Sequence, residues 1–166
     1  PPATDIYTLS LHDALPILES FGSLEKCFLD GFSENDRSIA PALEKFVSFL
    51  CADFPKGESY LLPSPARGSA CKRLNLMLRW LLRKDDVDPG GWSGVPQSKL
   101  IVPLDTHMFR IAKALGLCRR NSADLKAAIE ITDAFAEMCP SDPVKYDFSL
   151  TRFGIHPEIR RTEIEI

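Results

Sequence analysis

Asp105 closes the short apolar run Leu100-Ile101-Val102-Pro103-Leu104 and stands directly before Met108, Ile111, Ala112 and Leu115, which are spaced as one face of a helix. A carboxylate in that place ordinarily accepts the unpaired amides of the helix start, worth ~1 kcal/mol. His107 follows two positions later and could pair with Cys71 as a thiol–imidazole nucleophile, but nothing in the sequence brings the two together, and His107 reads as ordering the helix start. Asp85, Asp86 and Asp88 suggest a cation loop; position twelve from Asp86 is Gln97, where a calcium loop wants Glu, so a solvated turn is the reading. Lys72, from exposure statistics alone, is a solvated helical lysine. Cys27, Cys51, Cys71, Cys118 and Cys139 are odd in number, scattered and never in a C-x-x-C pair. They suggest no disulfide framework, no zinc site and no iron–sulfur cluster, and a reducing cytoplasm fits them. No metal or other cofactor is implied.

These groups sit on a chain of 166 residues, 45% of them hydrophobic, enough for one core and too few for two. No apolar run reaches the length of a bilayer span, so no membrane partner is expected. The net charge of -3 argues against a generally basic nucleic-acid binder. It hides an asymmetry: residues 67–120 hold eleven basic and four acidic residues, and the rest of the chain nine and nineteen. The middle of the chain could meet a polyanion, or could equally be a solvated face.

The apolar spacing from Gly22 onward is helical almost throughout, with no sustained alternation of period two, and predicts an all-α fold. Short helices are expected over residues 23–30 and from Pro41, the latter turning Leu43, Phe46 and Leu50 inward, before Pro55 and Gly57 break the chain. A third helix is expected from a cap at Ser69 through Lys84, with Cys71, Leu74, Leu78 and Leu81 on a packing face and Lys72, Arg79 and Arg83 on a cationic one. Trp80 and Phe109 read as core, and Trp92 as the one aromatic in the irregular loop 85–98. Further helices are expected over 105–115, stopped by Gly116, and over 122–138 and 141–153. Residues 1–17 resemble translated sequencing-adapter sequence and are set aside from fold reasoning. The helical domain is placed at 18–157 and a tail at 158–166.

The stretch Val102-Pro103-Leu104-Asp105-Thr106-His107-Met108-Phe109-Arg110-Ile111-Ala112 resembles the Val-Asp-Thr-His-x-x-Arg-Val segment of endonuclease III and its relatives, the helix-hairpin-helix DNA glycosylases. Gly68-Ser69-Ala70-Cys71-Lys72-Arg73-Leu74-Asn75 is similar to the Gly-x-Lys-x-x-Asn part of that family's hairpin and following helix. Residues 20–157 also resemble an uncharacterised bacterial family of conserved hypothetical proteins. Three departures stand out. The hairpin Leu62-Pro63-Ser64-Pro65-Ala66-Arg67-Gly68 lacks the usual Gly after Leu-Pro, the interval from Lys72 to Asp105 is longer, and the four-cysteine cluster is absent. Archaeal 8-oxoguanine glycosylases are similar in that wider spacing.

The resemblance implies a glycosylase, or glycosylase/AP lyase, acting on double-stranded DNA with a damaged base, with Asp105 and Lys72 catalytic. Breaking an N-glycosidic bond builds positive charge on the sugar, which a buried anion stabilises. Lyase chemistry adds an amine, neutral at attack, that forms a Schiff base at C1′; burial of Lys72 beside Arg73 or Arg79 would favour the neutral form. Arg67, Gly68, Ser69, Arg73, Arg79, His107 and Arg110 are the expected DNA contacts, with the amides at the Ser69 helix start facing a phosphate. Trp92 is the expected wall of a pocket for the flipped base. The competing expectations are a non-catalytic DNA-binding or scaffold domain of the same fold, and a protein-interaction module, for which the pI of about 5.6 speaks.

Overall fold

The structure is a computed structural model that describes residues 11–52 and 62–155. Among the described residues seven α-helices follow one another: α1 (Leu11–Phe21), α2 (Leu24–Leu29), α3 (Ala40–Leu50), α4 (Lys72–Leu82), α5 (Thr106–Ala114), α6 (Leu125–Met138) and α7 (Asp147–Ile155). Among the described residues there is no strand, only an isolated bridge between Lys84 and Pro89, and the all-α expectation holds. No helix among them is long and apolar enough to cross a membrane. Pro55, Gly57 and the segment 158–166 lie outside the described residues. α1 runs through part of the segment set aside as adapter-like, and Ile17 is buried in the core.

The helices form where caps and apolar spacing agree. Ser23 accepts the Lys26 amide at the head of α2, Asp105 the Met108 amide at α5, and Asp124 the Ala127 amide at α6. α1, α2 and α3 pack on one another, and α5 packs on α7. The buried core includes Phe28, Phe46, Leu78, Ile101, Met108, Ile131 and Phe135, with Phe28 and Phe46 edge to face at 5.6 Å.

Several boundaries differ from expectation for local reasons. α4 starts at Lys72 because Cys71 adopts a left-handed backbone (φ 47°), and Ser69 accepts the Cys71 amide instead of capping the helix. α6 starts at Leu125 behind its cap Asp124, not at Ser122. Residues 141–146 are turns, so α7 starts at Asp147. Leu115 is exposed at the end of α5. Residues 100–104 are extended and buried, and the Val102 amide donates to Thr132 Oγ1 of α6 at 3.0 Å. That bond holds the segment leading into Asp105.

Candidate active site

Lys72 is the first residue of α4, and its direction is set by the turn before it. A left-handed conformation at a non-glycine residue costs on the order of 1–2 kcal/mol. It persists at Cys71 because the buried thiol donates to Pro63 O at 3.1 Å and the amide to Ser69 Oγ at 3.2 Å, while Asn75 Nδ2 binds Ala70 O at 2.9 Å. Burial pushes the Cys71 thiol above its usual range, so it serves there as an uncharged donor.

Across from this turn stands Asp105. Lys72 Nζ lies 2.9 Å from Asp105 Oδ2, while Oδ1 accepts the Met108 amide at 2.8 Å. Burial works against ionisation of Asp105, but the Met108 amide, Lys72 and the His107 amide outweigh it and hold the carboxyl below the usual carboxylate range. The lysine side chain is 48% exposed and the aspartate's 17%. The two line an open cavity of about 460 Å³ together with Arg79, Trp80, Val87, Asp147, Phe148 and Thr151, among others.

The remaining expected site residues fall into two groups. Arg67, Gly68 and Arg73 are exposed near the start of α4, with Ser69 half-buried among them, and in α5 Arg110 is exposed and His107 half-buried. The Gly68 amide donates to Pro65 O at 2.8 Å and its carbonyl accepts the Leu125 amide, so this glycine (φ 77°) serves the turn and not a phosphate. Arg79 and Trp92 require correction. Arg79 is 2% exposed and bound to Asp88 at 3.1 Å and Asp147 at 2.5 Å, so it forms part of the cavity wall and is not an open contact for the DNA backbone. Trp92 packs on Phe28, ring centres 5.9 Å apart, away from the cavity.

The expected burial of Lys72 beside Arg73 or Arg79 also gives way to a half-open pairing with a carboxylate. Trp80, expected in the core, is 46% exposed and lines the cavity. Nor is the loop at Asp85–Asp88 a merely solvated turn: Asp88 is wholly buried between Arg79 and Arg83, and Arg83 also meets Asp85 and Asp142. Two of the eleven basic residues counted along the middle of the chain, Arg79 and Arg83, are thus neutralised inside the fold. Asp147, which sequence reasoning missed, reaches both this cluster and the cavity.

Fold and site together define an all-α domain with a lysine–carboxylate pair at the edge of an aromatic-walled cavity. Residues 4–156 match a family described as a protein of unknown function, DUF2400, and the chain belongs to that family. No curated protein and no solved structure matches the chain. Membership of the helix-hairpin-helix DNA glycosylase superfamily, implied by the short motifs around Lys72 and Asp105, is therefore corrected: the match over nearly the whole chain is to DUF2400.

Proposed function

We propose that this domain cleaves the N-glycosidic bond of a damaged nucleotide in double-stranded DNA, with Asp105 stabilising charge on the sugar and Lys72 capturing C1′. The observation that carries the reading is the 2.9 Å contact of Lys72 Nζ with Asp105 Oδ2 beside a cavity of about 460 Å³. Bond cleavage puts positive charge on the sugar, and Asp105, with its lowered pKa, offers a fixed anion at neutral pH. Lys72, half exposed at the cavity, places its amine beside that anion, in position to attack C1′. Trp80, Val87 and Phe148 supply apolar surface for a base removed from its stack. Arg73 and Arg110, exposed on α4 and α5, supply phosphate contacts.

The exposure of Trp80, Val87 and Phe148 also favours a second reading, a domain that binds DNA or protein without catalysis. Incubation with duplexes bearing oxidised or deaminated bases under borohydride separates the two. Catalysis predicts a trapped adduct that Lys72→Gln abolishes, and base release that Asp105→Asn lowers on the order of 10²- to 10³-fold. No adduct and no Asp105-dependent release overturns it. Salt-sensitive binding that survives both substitutions then supports the non-catalytic reading.

A further inference from the structure

We propose that Asp147 is a second working carboxylate of the cavity, the acid that protonates the departing base; this rests on the base-excision reading above. Asp147 is the first residue of α7 and lines the same cavity as Lys72 and Asp105. It is 5% exposed. Oδ2 accepts from Arg79 Nη1 at 2.5 Å; Oδ1 is met, among the described residues, by a long bond from Thr151 Oγ1 at 3.5 Å. Thr151 lines the cavity as well.

Charge in the cluster behind Asp147 argues that it carries a proton. Two guanidinium groups, Arg79 and Arg83, face four carboxylates, Asp85, Asp88, Asp142 and Asp147, of which only Asp85 is well exposed. Asp88 contacts both arginines and Asp142 contacts Arg83, leaving Asp147 to share Arg79. A further buried anion is disfavoured in that setting. The groups facing Asp147 are Arg79 from α4, with Asp88 behind it, Thr151 from α7 itself, and across the cavity Lys72 and Asp105. Burial pushes the Asp147 carboxyl above the usual range, Arg79 opposes this in part, and the Asp105 charge adds to the rise. Two carboxylates in one cavity are thereby driven apart, Asp105 towards the anion and Asp147 towards the acid.

The step balances without an outside reagent. Lys72 first gives its extra proton to solvent; the C1′–N pair then leaves with the base, the Asp147 O–H bond breaks and its proton joins the base nitrogen, and the Lys72 amine lone pair forms the new bond to C1′. Asp147 ends as a carboxylate and regains its proton from solvent.

The test measures base release against pH on duplexes whose lesions differ in leaving-group ability, with thermal melts to confirm folding. For wild-type protein, activity should fall on the alkaline side as Asp147 ionises. Asp147→Asn should remove that limb and slow release of the poorest leaving base by roughly 10²- to 10⁴-fold, the usual contribution of a general acid. Release of the best leaving base should change far less. Equal losses for all bases, or an alkaline limb kept in the variant, would make Asp147 an anchor for Arg79 and overturn the proposal. If the variant does not fold, carbon NMR of the wild-type carboxyl groups decides: Asp147 should hold its proton above the range in which Asp105 has lost its own, and the reverse order refutes the assignment. No release by the wild type on any lesion overturns both this inference and the excision reading, whereas release without dependence on Asp147 overturns this inference alone.

Discussion

α4 and the residue that ends it, Arg83, carry two cation–carboxylate assemblies, Lys72 and Arg79 less than two turns apart. At its head, Lys72 meets Asp105 with the lysine half in water. Further along, Arg79 and Arg83 are sealed among Asp88, Asp142 and Asp147. The residue types are nearly the same, and burial separates their roles. A half-open pair gains little from its own attraction and stays available to a ligand. A sealed cluster cannot be opened by a ligand without stranding charge, so Arg79, Arg83 and Asp88 serve as scaffold, while Asp147 also faces the cavity. Here the cluster joins α4, the 84–89 turn and the head of α7, and thereby fixes one wall of the cavity in which the open pair lies.

The largest expected effect comes from breaking the sealed assembly. Asp88 touches both arginines and is wholly buried, so Asp88→Ala leaves two guanidinium groups short of a partner. Stability should fall by roughly 3–5 kcal/mol, read as a lower urea midpoint at unchanged slope. A loss below about 1 kcal/mol would put the cluster in the same class as a surface pair.

A smaller effect is expected from the support of the open pair. Thr132 Oγ1 accepts the Val102 amide at 3.0 Å and donates to Ala128 O at 2.6 Å, so Thr132→Val strands a buried amide three residues before Asp105. The cost should be roughly 1–3 kcal/mol. Proton NMR of the Met108 amide, which Asp105 caps, should shift in the variant; an unchanged Met108 signal would show that Asp105 is positioned independently of α6.

The difference between the assemblies also marks how far the sequence could be read. Asp105 was legible as a cap because capping is local: the acceptor and the Met108 amide lie three residues apart. The all-α class was legible from helical spacing for the same reason. Arg79 and Arg83 were misread as a cationic face because spacing tells which residues share a face and not what meets it. Two of their partners, Asp147 and Asp142, are 68 and 59 residues away, in a stretch whose helix also begins later than its Pro143 suggests, and the nearby Asp88 reads as part of a solvated loop. Trp80 and Trp92 exchanged roles on the same account. A tryptophan on an apolar-looking helix lines the cavity, and one in an irregular loop packs on Phe28, since loop 85–98 folds back over the core.

The smallest expected effect, and the one that separates the two assemblies most finely, is that of Lys72→Met on stability. Its ion pair is half exposed, so the loss should be about 0–1 kcal/mol and should shrink further in salt. The pH dependence carries more information. The folded protein holds the Asp105 carboxyl below its unfolded value, so the stability this contributes is fully present above the ordinary carboxylate range and is lost as pH falls through that range towards the lowered value. Lys72→Met removes one cause of the lowering and leaves the Met108 and His107 amides in place. Urea midpoints measured from neutral pH downward should therefore show a shallower acid loss in the variant than in the wild type, but not its disappearance. Superimposable acid limbs would mean that the lysine adds nothing to the anion's stability. A drop of several kcal/mol at neutral pH would place Lys72 with the sealed arginines, and a scaffold residue of that kind is unsuited to release its partner when a substrate arrives.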